Sequence, residues 1–186
     1  MYEEIDAYVR GLIEKSSPSH TAWNIESVRE GRPASWNYID GCMITALLAM
    51  SDITGDARYF DFAEGFIDWF VLEDGTIRTY DRKKYNLDDI NEGRVLFPLY
   101  AKTGKEKYKK AAENLYRQIQ EQPRTFEGNF WHKAIYPNQV WLDGLYMAEP
   151  FYMKYETIFN KMEKCNDVIH QFEKVEKNMK DPKTGL

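Results

Sequence analysis

Apolar positions recur with helical spacing along almost the whole chain, and turn residues cut that pattern into seven segments. Residues 2 to 15 place Ile5, Val9, Leu12 and Ile13 on one face, and SSPSH ends that short amphipathic helix. Residues 22 to 35 are polar and read as irregular, with GRPAS as a loop and Ser35 as the cap of the next helix. That helix, from Trp36 to about Ile53, is apolar or small nearly all round, which predicts burial. A third helix spans Ala57 to about Val71, beyond the TGD turn. EDGTIRTY then reads as a turn with a short extended piece, and DRKKYN as a charged loop. Helices follow over Leu87–Lys102, Glu106 to about Gln122, Asn138 to about Tyr155, and Glu163 to Met179. The KEKYKK run at 105 to 110 reads as a solvated helix face. Pro137-Asn138 reads as a helix start, since Pro presets φ and Asn can accept from the free N–H groups of a first turn.

These pieces repeat. An acidic residue followed by Gly occurs at Asp40-Gly41, Glu92-Gly93 and Asp143-Gly144, spaced 52 and then 51 residues. TGDARYFDFAE and TGKEKYKKAAE match at Thr, Gly, Tyr, Ala and Glu with an offset of 49 residues. A shared period of this size signals a repeated helical hairpin, with one apolar inner helix and one half-polar outer helix. Two architectures satisfy it: an open solenoid, or a ring of inner helices with a second ring outside. In a ring the N-terminal ends of the inner helices meet at one rim, where their free N–H groups and macrodipoles favour an anionic ligand.

Composition narrows the function. The formal net charge is −5 and the pI near 5.3, which argues against a nucleic-acid partner. No apolar run is long enough to span a membrane, and the charged N-terminal stretch does not read as a signal peptide, so cytoplasm is the expected location. Cys42 and Cys165 make neither a zinc set nor a disulfide framework. Aromatic residues are 15% of the chain, enough to fill a core and also to line a carbohydrate cleft.

The stretch GNFWHKAIYPNQVWLDGLYMAEPFYMKY holds the densest chemistry. A helix from Asn138 would align Gln139, Asp143 and Met147 at i, i+4 and i+8. Asp143, with Trp141 close by, is then a candidate acid or base; composition alone favours the plainer reading, a first-turn carboxylate of the kind helices carry. Trp36-Asn37-Tyr38, the NLDD segment with Asp88, and Trp131-His132 should reach the same rim. Two carboxylates, an imidazole and several indoles are the parts of a general acid/base site for a sugar. Asp88 also reads as a helix cap, and His132 as a satisfied structural histidine.

With those residues in view, GNFWHK followed by YPNQVWLDGLYMAEPF resembles the unsaturated rhamnogalacturonyl hydrolases, glycoside hydrolase family 105, and so do the WNY, NLDDINEG and LYAKTGKEKY segments. The resemblance runs in order through the whole chain. It implies an all-α fold, the six-hairpin (α/α)6 toroid, of which residues 1 to 186 form one domain of about three hairpins, an N-terminal half. It implies removal of a 4,5-unsaturated uronic acid from the non-reducing end of pectin-derived oligosaccharides, by hydration of a vinyl ether. Asp143 would protonate C4 and guide water to C5, with Asp88 assisting. Tyr38, His132 and Trp141 would contact the unsaturated sugar, with Trp36, Gln139 and Met147 nearby. No metal or organic cofactor is implied. A half toroid would leave inner-helix flanks exposed, which predicts self-association through that face, and the basic residues that meet the uronate carboxylate are expected beyond residue 186.

Overall fold

The computed structural model describes residues 2–185, and its regular structure is helical. The helices are α1 (Tyr2–Glu14), α2 (Ile25–Glu30), α3 (Tyr38–Thr54), α4 (Ala57–Phe70), α5 (Asp88–Asn91), α6 (Leu96–Thr103), α7 (Glu106–Glu121), α8 (Leu142–Phe159) and α9 (Cys165–Met179). A 3₁₀ turn over Glu92–Val95 joins α5 to α6. Pairs α3/α4, α5–α6/α7 and α8/α9 are three hairpins side by side, and the inner helices α3, α5 and α8 pack against one another in sequence order. The period read from the sequence is therefore the period of the hairpins.

The acidic–Gly pairs mark where neighbouring hairpins touch. A Cβ on Gly41 would lie 2.6 Å from Glu92 Cα, and one on Gly93 would lie 3.0 Å from the Phe151 ring of α8, as well as 2.4 Å from Leu115 Cδ1 of α7 in its own hairpin. Only glycine lets the Glu92 backbone approach Gly41, and these side chains approach Gly93, so closely. Glu92 is wholly buried and its Oε2 accepts from the Asn37 N–H at 2.7 Å, which ties the second hairpin to the start of the first inner helix. Phe66, Phe70, Leu99, Tyr108, Leu115 and Phe151 fill the core between the layers. The Tyr59 hydroxyl on α4 donates to Asp6 and fastens α1 to the outside.

Several local expectations are corrected. The cap of α3 is Asn37, whose side chain accepts from Asp40 N at 3.1 Å, not Ser35. The stretch over 87–102 is broken rather than continuous. Pro98 has no N–H to return to the preceding turn, and the chain tightens into 3₁₀ geometry just ahead of it. Residues 25–30 form α2 within a segment expected to be irregular. The KEKYKK run is not simply solvated: Tyr108 is core, and Lys107 is 7% exposed with its ammonium 2.8 Å from Asp68 of α4.

Candidate active site

The three inner helices begin at a common rim, and backbone contacts fix it there. The Trp36 indole donates to the Asp89 carbonyl at 2.8 Å, joining the entries of α3 and α5. Leu87 N donates to the His132 carbonyl at 3.1 Å, and His132 N donates to the Gln139 carbonyl at 2.8 Å, joining α5 to the segment that enters α8. Asn86 shapes the start of α5: its side chain accepts from Asp88 N at 3.1 Å and donates to Asp89 Oδ1 at 3.0 Å.

On this frame Asp88, His132 and Asp143 come together, each offering one atom within 4.8 Å of the others. His132 is 1% exposed, and its Nε2 lies 3.2 Å from Asp88 Oδ1. That contact has the length of an ion pair without the angle of a hydrogen bond, so Oδ1 keeps a free acceptor, and His132 Nδ1 is also without a partner. Lys133 Nζ lies 2.6 Å from Asp88 Oδ2. Burial pushes the Asp88 carboxyl up, but His132 and Lys133 beside it more than reverse this and hold it below the usual range. Its neighbour Asp89 moves the other way, pushed up to about 6 by burial and, more weakly, by the Asp88 charge, against the pull of Lys84 and Lys133. Adjacent carboxyls whose environments drive them apart are a common mark of a working site.

Asp143 lies in the first turn of α8, exposed to the open side of the hairpins. Gly144 next to it lets His132 approach, since a Cβ there would lie 3.2 Å from Nδ1. The Trp141 ring stacks with His132 at 4.3 Å and with Tyr136 at 5.2 Å, and its indole N–H donates to Gln139 Oε1 at 3.0 Å. Two stacked partners occupy the indole, so Trp141 acts as a wall that shields His132 more than as a platform for a sugar ring. Asp88, His132 and Asp143 are also grouped closely enough to hold a metal ion, although the Lys133 ammonium already serves one Asp88 oxygen.

The remaining sequence candidates divide. Tyr38 opens α3 at the rim and is 38% exposed. Met147 is buried one turn below Asp143 on α8. Gln139 is not on the helix. Asn138 has φ +60° and Gln139 N bonds back to the Tyr136 carbonyl at 3.1 Å, so Tyr136 to Gln139 form a turn and α8 starts only at Leu142. Gln139 reaches the site by bonding Trp141 instead. Trp36 is 3% exposed, packed on Phe70 with its N–H engaged, so it positions α5 from the core and does not face the rim. Lys133 is the residue sequence reasoning passed over, although it follows His132 within FWHK. A groove of about 620 Å³ opens beside Gln139 and Trp141, but neither Asp88 nor Asp143 lines it. Among the described residues, no helix is long and apolar enough to cross a membrane.

The model of Glycosyl Hydrolase Family 88 matches residues 13–186. The unsaturated rhamnogalacturonyl hydrolase YesR of Bacillus subtilis (strain 168) is 25% identical over 158 residues, which are 82% of this chain and 44% of that protein. A solved glycoside hydrolase from family 105 of C. acetobutylicum ATCC 824 matches with a TM-score of 0.79 and 47% identity, over 82% of this chain and 42% of that one. The chain thus spans less than half the length of either relative. The fold agrees with part of an (α/α)6 toroid.

Proposed function

The chain belongs to Glycosyl Hydrolase Family 88, and from that premise we propose that its rim is the catalytic half of a site that releases a 4,5-unsaturated uronic acid, of the galacturonyl type, from the non-reducing end of a rhamnogalacturonan oligosaccharide. The observation that carries the reading is the meeting of Asp88, His132 and Asp143 at the joint start of the inner helices.

Asp143 is the proton donor in this reading. Its proton goes to C4 as the double bond's electrons form the new C–H bond, and positive charge develops at C5 and the ring oxygen. Water adds to C5 and returns a proton to the carboxylate, so the acid is regenerated. The resulting hemiketal opens by cleavage between C5 and the ring oxygen. C1 then carries a free hydroxyl beside the aglycone oxygen, and it expels the aglycone alcohol to leave an aldehyde. Asp88, held anionic by Lys133 and His132, is suited to orient the water or a sugar hydroxyl and to face the positive charge that forms. Because no displacement occurs at C1, the separation of the two carboxyls carries no stereochemical forecast of the usual kind. Tyr38, His132 and Trp141 border the sugar; Met147 and Gln139 support the floor and wall.

The test is to incubate the chain with an unsaturated galacturonyl-rhamnose disaccharide and follow the ultraviolet absorbance of its double bond. The reading expects absorbance to fall, and to stop falling in Asp143→Asn. An Asp143→Asn variant as active as the parent would remove Asp143 from the mechanism. The exposure of Asp143 favours a second reading, a sugar-binding unit without turnover, in which the disaccharide binds and the absorbance holds steady. Self-association through the open hairpin face remains part of the proposal, and light scattering tests it.

A further inference from the structure

One helical turn below the two carboxylates lies a cation that the scheme above does not use. Asn91 follows Asp88 by three residues on α5, and Tyr146 follows Asp143 by three on α8, so each is one turn, about 5 Å, deeper on the same face. Arg94 bridges them. Its Nη2 donates to Asn91 Oδ1 at 3.0 Å and to the Tyr146 hydroxyl at 3.3 Å, and its Nε donates to the Asn91 carbonyl at 3.2 Å. The guanidinium also lies 4.7 Å from the centre of the Tyr146 ring. Every one of these partners is neutral. Arg10, Arg32, Arg58, Arg82 and Arg124 each pair with a carboxylate; of the arginines without such an ion pair, Arg29, Arg78 and Arg117 are exposed and Arg94 alone is half-buried among the described residues. A guanidinium partly withdrawn from water, oriented on both sides and lacking a counter-charge, is prepared for an anion, and its planar fork suits a carboxylate.

Resting on the function proposed above, we propose that Arg94 receives the carboxylate of the unsaturated uronyl unit and so selects uronides over neutral sugars. The stereochemistry supports it. The carboxylate is bonded to C5, the carbon that takes water. A ring placed with C4 and C5 against Asp143 and Asp88 can point that group down the face toward Tyr146 and Arg94. Arg94 is then a specificity residue: it binds a group unchanged by the reaction, and its contribution is the same before and at the transition state. Under this proposal one uronate-binding cation lies on the 3₁₀ turn between α5 and α6, beside those expected beyond residue 186.

The experiment compares two ligands, the unsaturated galacturonyl-rhamnose disaccharide and its methyl ester, by calorimetry on the full chain in an Asp143→Asn background, so that the acid stays intact. With Arg94 present, the acid should bind about ten- to a hundredfold tighter than the ester. Arg94→Gln should bring that ratio close to one, and Arg94→Lys should keep part of it. An unchanged ratio in Arg94→Gln overturns the role of Arg94 and leaves the uronide reading standing. Failure of both ligands to bind with Arg94 present overturns the uronide reading, and Arg94 falls with it. Should Arg94→Gln not fold, ¹⁵N spectra of the Asp143→Asn chain with Arg94 in place decide: the Arg94 Nε–H signal, assigned by its loss in Arg94→Lys, should move with the acid and not with the ester, and equal movement with both contradicts the proposal.

Discussion

Asp40 and Asp143 occupy the same place in the repeat, each followed by Gly in the first turn of an inner helix, yet they live in opposite surroundings. Asp40 is 2% exposed. Its Oδ1 accepts from the Trp23 indole and its Oδ2 from the Asn37 amide, both at 2.7 Å. Burial raises its pKa against those hydrogen bonds, and its charge helps to raise that of buried Glu92 further still. Asp143 is exposed and reaches toward Asp88 and His132 instead. The repeat thus delivers a carboxylate to each rim position, and the neighbouring turn decides its use. The turn 71–80 ahead of α5 presents Thr79, whose hydroxyl accepts from Trp36 N at 2.8 Å. The turn 124–133 ahead of α8 presents His132 and Lys133 at the matching place, beside Asp88 and Asp143, where the proposed site lies.

The largest effect should come from breaking the chemical side. Asp88→Asn should lower turnover of the unsaturated disaccharide about a hundredfold or more, measured as loss of double-bond absorbance. A rate within a few-fold of the parent would place the working charge elsewhere.

The glycines sharpen the contrast. Gly41→Ala puts a Cβ 2.6 Å from Glu92 Cα, a backbone atom that cannot turn aside, and should cost about 1–3 kcal/mol in urea unfolding. Gly144→Ala meets the edge of a side chain at 3.2 Å and should cost less stability while shifting His132 and slowing turnover. Equal losses of stability would erase the distinction between the sealed rim and the working one.

Glu149 tests a buried carboxyl outside both. It is 2% exposed, its Oε2 lacks a partner, and burial, with the Asp167 charge and against Arg124, lifts it to about 9. A raised carboxyl stabilises the fold fully below its unfolded value, and this is lost as pH climbs toward the folded value. Glu149→Gln should therefore raise stability on the order of 2 kcal/mol near pH 8 and change little near pH 4, read from melting curves at the two pH values. The smallest effect is a displacement of the pH profile. Lys133→Met removes a charge that holds Asp88 low, so the acidic limb of the rate profile should move to higher pH. An unmoved limb would detach Asp88 from that limb.

Much of this was legible in the chain. The acidic–Gly spacing located the hairpins because a glycine at each of these positions admits a close neighbour: the Glu92 backbone at Gly41, and side chains at Gly93 and Gly144. FWHK and WLDG pointed to the rim because His132 and Asp143, which meet there, lie close together in sequence. Other features depended on contacts between distant residues. Nothing near Asn138 announced that it would take a left-handed turn; Pro and Asn serve that turn as readily as a helix cap. Trp36 and Trp141 look alike as letters, and only packing against Phe70 or His132 separates an anchor from a wall. The lack of a counter-charge beside Arg94 is a property of how α5, the 3₁₀ turn and α8 pack together, and no spacing encodes it.

Asp143→Asn and Asp40→Asn, made in parallel, test the central contrast most directly when rate and melting temperature are both measured. Asp143→Asn is expected to lose turnover about a hundred- to ten-thousandfold with its melting curve nearly unmoved. Asp40→Asn should retain turnover per folded molecule and lose about 1–3 kcal/mol of stability, because the Trp23 and Asn37 donors sit on different carboxylate oxygens and an amide would set its NH2 against one of them. Turnover surviving in Asp143→Asn and vanishing in folded Asp40→Asn would contradict the account.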